Sequence, residues 1–133
     1  LFDETMLLYC SPAHPLFAAH APPPDWDALQ AYPFAGLGYH SPNMEISQQL
    51  RLARKATGYD QEAIATLILS GAFLGFLPDH YAQSFVRAGQ MRAVDAAVFR
   101  YTCQFFAIAR RSPQAARATQ AFLECLMQAH RNQ

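Results

Sequence analysis

The sequence lacks the features that mark a membrane protein or a nucleic-acid-binding surface. None of its apolar runs approaches the roughly 20 residues that a membrane-spanning helix needs. Ten basic residues balance ten acidic ones, and no cluster of lysine and arginine stands out. Nucleic acid is therefore not expected as a direct partner of these 133 residues. Leu1 is neither an initiator methionine nor the start of a signal sequence, so we expect a domain of a longer protein or a processed chain.

Metal-binding and disulfide patterns are also absent. The five histidines and three cysteines show no metal-ligand spacing and no Cys-x-x-Cys motif, so no metal or other cofactor is expected and the histidines are interpreted as surface or loop residues. Cys10, Cys103 and Cys125 are expected to be reduced thiols of a cytoplasmic protein. A disulfide would require two of them to meet in space. Cys10 paired with His14 or His40 stays open as an enzymatic alternative, although nothing in the sequence activates the thiol.

The segment from Tyr59 to Pro78 has the pattern of a helix followed by a buried strand. Asp60 is suited to cap the first turn of the helix. Gly71 stands where a left-handed residue ends a helix, and the apolar run 73–77 predicts a strand covered on both faces. The helix is expected to be buried on most sides, with Ile64, Leu67 and Ile68 on one face and Ala65 and Leu69 around it.

The segments before Tyr59 predict an alternation of strands and helices. Residues 6–10 and 34–37 are apolar runs typical of strands, separated by a stiff proline-rich connection at 22–24 and a short helix capped by Asp25. Ser41 and Pro42 are suited to begin a helix reaching about Arg54, and 56–59 predicts a brief strand. The face of that helix is predicted to carry Met44, Ile46, Leu50 and Ala53. This order is typical of an α/β fold with a parallel-type sheet flanked by helices.

The last third of the chain predicts two further helices and a long strand. Asp79 is expected to cap a helix that Gly89 ends, and 91–94 predicts a small strand. Residues 98–109 alternate as a strand whose buried face changes at Phe106 and Ile108. Ser112 and Pro113 are suited to begin the final helix. Its apolar stripe is predicted to consist of Ala115, Ala118, Phe122, Cys125, Leu126 and Ala129.

Three short motifs in this order resemble the effector-binding domain of LysR-type transcriptional regulators. They are His14-Pro15-Leu16, Ser70-Gly71 and Leu77-Pro78. Phe73 departs from the family pattern, in which many members carry a second glycine. The resemblance implies a periplasmic-binding-protein-like (type II) lobe with two crossing strands and a C-terminal helix. It also implies that about 8–104 form the second lobe, that 105–133 return to the first lobe, and that most of lobe one and a DNA-binding helix-turn-helix lie upstream.

Polar and aromatic residues follow two of the predicted parallel strands. In an open parallel sheet, ligands collect at the carboxyl ends of the strands, where helix N-termini present free amides. The candidate ligand-binding residues are Tyr39, Ser41, Pro42, Asn43 and Met44 after one strand, and Tyr59 and Asp60 after the next. The loop 41–44 resembles the lobe-two side of the effector cleft, and its amides suit a carboxylate or another anion. The alternative is that Ser41 and Pro42 only start a helix and Asn43 is solvated.

The resemblance implies a binding module and not an enzyme. A small molecule, such as an organic anion, would bind between the lobes and change lobe closure or oligomer arrangement, and thereby DNA binding by the helix-turn-helix. The alternatives are a two-lobed solute-binding protein for transport and a small cysteine hydrolase. The apolar stripe of the final helix and the face with Phe106 and Ile108 predict a homodimer or higher homo-oligomer, because large apolar patches are rarely left in water.

Overall fold

The computed structural model describes residues 1–18, 24–110 and 116–130. The chain divides into two compact units, a larger one of Thr5–Tyr101 and a smaller one of Leu1–Glu4 with Thr102–Gln133. No helix among the described residues is long and apolar enough to cross a membrane. The elements in chain order are β1 (Phe2–Cys10), a 3₁₀ helix (Pro15–Phe17), α1 (Trp26–Leu29), β2 (Pro33–Leu37), α2 (Pro42–Gln49), β3 (Ala53–Gly58), α3 (Gln61–Leu69), β4 (Leu74–Pro78), α4 (Asp79–Arg87), β5 (Arg92–Ala93), β6 (Arg100–Phe105) and α5 (Arg117–His130).

The sheet has the strand order β3-β2-β4-β1-β5, and β6 also pairs with β1. Strand β2 lies parallel to both β3 and β4, whereas β1 lies antiparallel to β4 and β5. The parallel strands are joined through α2 and α3, as the alternating pattern predicts. The predicted α/β class with a parallel-type sheet is therefore confirmed.

Side-chain caps begin three of the helices where the sequence predicts them. Asp25 accepts a hydrogen bond from the Ala28 amide at 2.7 Å, Asp60 accepts one from Ala63 at 2.7 Å, and Ser41 accepts one from Met44 at 3.4 Å. The predicted cap of α4 is wrong. Pro78 occupies the N-cap position, and Asp79 is the first helical residue, with its carboxylate 2.6 Å from the His80 amide nitrogen.

Helix α3 packs against the sheet through one face only. Its buried residues are Ile64, Ala65 and Ile68, whereas Leu69 is 39% exposed. Gly75 of β4 lets the helix approach closely, because a Cβ atom there would lie 2.9 Å from Ile68 Cδ1. The expectation that this helix is buried on most sides is wrong, since a helix lying on one face of a sheet leaves its outer face to solvent.

The boundary between α2 and β3 differs from the prediction. The helix ends at Gln49, and Ala53 and Arg54 belong to the following strand. Arg51 adopts a left-handed conformation with φ of 51°, and the Leu52 amide donates to the Ser47 carbonyl at 3.0 Å. This bond closes the helix end as in a Schellman motif. Met44, Ile46 and Leu50 of the predicted apolar face are half-buried, whereas the fully buried residues of α2 are polar, Asn43 and Ser47.

The C-terminal elements differ from their predictions in length and exposure. Strand β6 ends at Phe105, and Phe106 and Ile108 lie beyond it at 70% and 95% exposure, so no strand changes face there. Helix α5 has no buried residue, because a unit of this size covers little surface. Its half-buried residues are Gln120, Leu123, Leu126 and His130, of which the predicted stripe contains only Leu126. Pro22, Pro23, Ser112, Pro113 and Ala115 lie outside the described residues.

His14 is the one predicted surface or loop histidine, among the described ones, that the structure buries. It is 4% exposed and stands at the N-cap of the 3₁₀ helix, where its Nδ1 accepts a hydrogen bond from the Leu16 amide at 3.2 Å. Its ring lies 5.1 Å from the Tyr32 ring. Burial lowers the pKa of His14 below its ordinary value, so the neutral imidazole is the form that fits the fold.

Gly71 and Gly89 offer a matched pair for testing the turn after α3. Both have positive φ, 83° and 70°, but a Cβ atom at Gly71 would lie 2.5 Å from Ala13 Cβ, whereas one at Gly89 would meet nothing within 4 Å. Gly89→Ala should therefore lower the free energy of unfolding only by the cost of a left-handed alanine, about 1 kcal/mol. Gly71→Ala should lower the free energy of unfolding by about 1–3 kcal/mol more, because its Cβ atom clashes with Ala13. Urea denaturation measures both values. Equal losses, or no relief of Gly71→Ala by Ala13→Gly, would contradict this account.

The buried His14 predicts a loss of stability in acid. Because its pKa is lower in the folded than in the unfolded chain, the unfolded state takes up the proton first, and stability should fall as pH drops below about 6.5 toward the lowered pKa. His14→Asn keeps an acceptor for the Leu16 amide but does not titrate. Chemical denaturation of both proteins at pH 8 and pH 5.5 should show a smaller acid loss for the variant. An equal loss would assign the acid sensitivity to other groups.

Candidate functional site

The turns that follow β2 and β3 lie side by side at one edge of the sheet. The two strands are parallel, so their carboxyl ends meet there. The Gly38 amide donates to the Gly58 carbonyl at 2.8 Å, which joins the two turns directly. A Cβ atom at Gly38 would lie 2.8 Å from Tyr59 Cε1, so the Tyr59 ring occupies the space that the glycine leaves. The structure therefore brings together the two groups of residues that were predicted separately.

The first turn leads into the N-terminus of α2. Ser41 is the N-cap, as predicted, and its hydroxyl accepts a hydrogen bond from the Met44 amide. Pro42 is the first helical residue and has no amide hydrogen to donate. Glu45, the acidic residue of this first turn, lies 3.2 Å from His40 through Oε1 and Nε2. Because the amides of Met44 and Glu45 both donate to Ser41, this end of α2 presents mainly the positive end of the helix dipole.

Asn43 is buried and not solvated. It is 3% exposed, and its Oδ1 accepts a hydrogen bond from the Leu37 amide at 3.1 Å. Its Nδ2 donates to the Tyr101 hydroxyl at 3.2 Å, and the Tyr101 ring meets Phe76 edge-on at 5.0 Å. The interpretation of Asn43 as a solvated helix-start residue is therefore wrong. The side chain fixes the start of α2 to the last residue of β2.

Arg54 is a residue of this edge that the sequence analysis did not identify. Its Nη1 donates to the Leu37 carbonyl at 3.3 Å, and a Cβ atom at Gly36 would lie 2.9 Å from Arg54 Cδ. The guanidinium thus reaches the end of β2 by crossing over a residue without a side chain. The prediction missed it because Arg54 was assigned to the end of α2, where it would point away from the strand. A prediction that ended α2 at Gln49 would have placed Arg54 in the strand beside β2.

The second turn supplies an exposed ring and a carboxylate. Tyr59 is 73% exposed, and Tyr39 of the first turn is 46% exposed. Asp60 Oδ1 is bound to the Ala63 amide as the N-cap of α3, and Glu62 adds a second negative charge in the first turn. The start of α3 therefore carries two carboxylates, whereas the start of α2 carries one, Glu45, after a neutral serine cap.

Burial makes the thiols of two of the three cysteines less acidic. Cys10 is fully buried, and burial raises the pKa of its thiol to about 11 against a smaller lowering by Arg92. Burial also raises the pKa of Cys103, and the negative charge of Glu4 adds to the rise. All three cysteines are free, in agreement with the expected reduced thiols. Among the described residues, no group of three or more His, Cys, Asp or Glu side chains could hold a metal ion.

Neither of two surface cavities is lined by the predicted ligand residues. One, of about 340 Å³, is in the larger unit between α1 and the end of α2. The other, of about 530 Å³, is in the smaller unit beside Phe2, Phe105 and His130. The candidate residues at the strand ends form an open edge and line neither of these cavities.

The comparisons with known proteins agree on one family. The family model of the LysR substrate binding domain matches residues 1–131. The chain is 32% identical over 126 residues to the HTH-type transcriptional activator BauR of Pseudomonas aeruginosa, and the match covers 95% of the chain and 41% of BauR. The chain therefore spans less than half the length of this curated relative.

Solved structures show the same fold. The regulatory domain of HypT from Salmonella typhimurium (M206Q mutant) matches with a TM-score of 0.66 and 12% identity over 97% of this chain and 65% of that one. The Synechocystis PCC6803 CcmR regulatory domain in complex with 2-PG matches with a TM-score of 0.66 and 20% identity. The match covers 98% of this chain and 65% of the CcmR domain. Full-length LysG from Corynebacterium glutamicum with bound effector Arg matches with a TM-score of 0.62 and 16% identity. The match covers 97% of this chain and 44% of LysG.

The predicted periplasmic-binding-protein-like architecture is thereby confirmed. The matches extend over nearly the whole chain, as the motifs at His14-Pro15-Leu16, Ser70-Gly71 and Leu77-Pro78 indicated. The chain belongs to the LysR substrate-binding domain family.

Proposed function

We propose that this chain binds a small-molecule effector at the carboxyl edge of its parallel strands and serves as the effector-binding part of a LysR-type transcriptional regulator. The observation that carries the proposal is the junction of the two turns, where Gly38 bonds to Gly58 and two exposed tyrosines stand beside the N-termini of α2 and α3. Ligands of open parallel sheets collect at such an edge. The proposed site comprises Tyr39, Ser41, Pro42, Met44, Tyr59 and Asp60, with Asn43 as a buried positioning residue.

The relatives support a regulatory role for the longer protein. BauR is a transcriptional activator of the helix-turn-helix type, LysG binds Arg as an effector, and the CcmR regulatory domain binds 2-PG. By analogy, effector binding here would change the arrangement of the regulator on DNA, provided that the effector has different affinities for the two arrangements. We propose that the DNA contact is made outside these 133 residues, because ten basic and ten acidic side chains leave no basic excess. Such a regulator acts in the cytoplasm.

The distribution of charge at the edge favours an effector whose negative group approaches α2. The N-cap of α2 is a neutral serine followed by one carboxylate, Glu45, in the first turn, whereas α3 begins with two, Asp60 and Glu62. An anion gains from the helix dipole at the first end and meets the stronger carboxylate repulsion at the second. The rings of Tyr39 and Tyr59 would cover the apolar part of the same molecule.

The alternatives receive less support from the structure. A transport protein for solutes shares this fold, but family membership favours a regulator. A cysteine hydrolase would need a nucleophilic thiolate, whereas Cys10 is fully buried with its pKa raised to about 11 by burial. We therefore propose a binding protein without catalytic activity.

A screen of small molecules tests the effector site. Acetate, succinate, inorganic phosphate, glycine and arginine are tested for a rise in the melting temperature, and the best binder is measured by calorimetric titration. Tyr59→Ala should weaken that binding about tenfold with little change in stability, because the ring is largely exposed. Val86→Ala, an exposed truncation on α4, is the control and should leave binding unchanged. Unchanged binding in Tyr59→Ala would argue against this edge as the site.

We also propose that the chain forms a homodimer through the apolar surface of its smaller unit. Phe106, Ile108 and Phe122 are 70%, 95% and 64% exposed in that unit. Large apolar side chains concentrated on a small unit favour association with a second copy of the chain. A dimer built on this surface would be isologous, with the same residues contributed by both protomers.

Sedimentation velocity over a range of concentrations tests the dimer. Phe122→Glu should raise the dimer dissociation constant about tenfold or more, because a charge would replace an aromatic side chain that the proposed dimer buries. Gln128→Glu introduces the same charge at another exposed position of α5 and should change it little. A wild-type chain that stays monomeric at high concentration, or equal effects of the two substitutions, would contradict the proposed surface.

A further inference from the structure

We infer that Arg54 is the specificity-determining residue of the site and selects an effector with a carboxylate or phosphate group. The inference rests on the proposed function, because it concerns the same edge of the sheet. It adds a residue outside the predicted set and commits the effector to a chemical class. Three observations carry it: the way the guanidinium is held, its lack of a carboxylate partner, and the distribution of charge around it.

Arg54 is held at the edge by the geometry of β2. Its side chain crosses Gly36, where any Cβ atom would lie 2.9 Å from Arg54 Cδ and 3.0 Å from Phe34 Cε1. At the end of this path Nη1 donates to the Leu37 carbonyl at 3.3 Å. Holding a long side chain costs conformational entropy. Arg54 is an exposed residue, and the space at Gly36 together with the bond to the Leu37 carbonyl favours one position of its guanidinium before any ligand arrives, which lowers the cost of binding.

The guanidinium keeps most of its hydrogen-bonding capacity for another group. Arginine has five N–H donors, and the bond to Leu37 uses one of them. No carboxylate among residues 1–18, 24–110 and 116–130 forms an ion pair with Arg54. The acidic groups at the starts of α2 and α3 have other partners: Asp60 caps α3, and Glu45 lies 3.2 Å from His40. A positioned cation with unused donors is suited to bind an anion that the chain itself does not supply.

The same peptide unit joins Arg54 to the predicted ligand residues. Leu37 is held through its amide by Asn43 Oδ1 at 3.1 Å and through its carbonyl by Arg54 Nη1 at 3.3 Å. A Cβ atom at Gly36 would lie 3.6 Å from Asn43 Oδ1, so the Arg54 side chain and Asn43 both lie against the same face of β2. The start of α2 follows immediately. Arg54 therefore adds a full positive charge beside the partial positive charge of the helix N-terminus.

These contacts indicate the class of ligand. The planar guanidinium can bind two oxygens of a carboxylate or phosphate side by side, which a lysine cannot reproduce. A neutral amide of the same shape would lose the charge-assisted bonds. The carboxylates of Asp60 and Glu62 at the start of α3 would repel the anionic end of the effector, so that end should bind on the α2 side.

Nuclear magnetic resonance titration of the ¹⁵N-labelled chain with acetate, inorganic phosphate and acetamide tests this inference. Acetate or phosphate should shift the amide signals of residues 36–45, and acetamide should leave them unchanged. Arg54→Gln should weaken the anion about tenfold or more, because a charge-assisted bond is lost. Arg54→Lys should recover only part of the affinity. Gly36→Ala should weaken the anion without changing the net charge, because the added Cβ displaces the arginine side chain.

Arg87→Gln is the matched control, because it removes the same charge from an exposed arginine in the last turn of α4. It should leave the anion affinity within about twofold of wild type. Equal weakening by Arg54→Gln and Arg87→Gln would overturn the inference and leave only a net-charge effect. Shifts caused by acetamide but by neither anion would overturn the role of Arg54 and leave the proposed edge site standing. If every compound shifts signals elsewhere in the chain and none shifts residues 36–45 or 59–63, both the role of Arg54 and the proposed edge site are overturned.

Discussion

The parallel alignment of β2 with β3 and β4 is the constraint on which the rest of this structure depends. Because the strands run in one direction, the turns after them meet at one edge, and α2 and α3 begin there. The alignment also requires close packing of helix on strand, which Gly75 allows beneath Ile64 and Ile68. A fold of this kind therefore places backbone donors and the ends of helices together without a dedicated binding motif.

Polar contacts fix that edge where apolar packing ends. The Leu37 peptide is bound on one side by Asn43 and on the other by Arg54, and Gly38 bonds across to Gly58. Buried polar groups that are fully hydrogen-bonded specify one arrangement, since any other would leave a donor or acceptor without a partner. Asn43 thus contributes to order at the edge, while Tyr39 and Tyr59 remain exposed and available to a ligand.

The elements with strong local signals were predictable from the sequence. Asp25, Ser41 and Asp60 begin helices because their side chains accept amide hydrogen bonds, and that chemistry acts within three residues. Gly71 ends α3 with a positive φ for an equally local reason. Such interactions leave a trace in short stretches of sequence, so the helix starts and the order of strands and helices could be predicted.

The remaining features depend on distant parts of the chain. The end of α2 was predicted too late because Arg51, a residue without the freedom of glycine, adopts the left-handed conformation there. The burial of Asn43 depends on Tyr101, which lies 58 residues away along the chain. His14 is buried through contacts with Tyr32, and the exposure of Phe106 and Phe122 depends on how little surface the smaller unit can cover. Contacts between residues far apart in the sequence cannot be predicted from local sequence patterns.

Hydrogen–deuterium exchange with and without the strongest binder of the small-molecule screen tests the effector-binding account most directly. The account predicts slower exchange of the amides at residues 38–45 and 59–64, where both turns and the first turns of α2 and α3 lie. Slower exchange confined to other segments, such as those around the cavity beside Trp26 and Arg51, would contradict it.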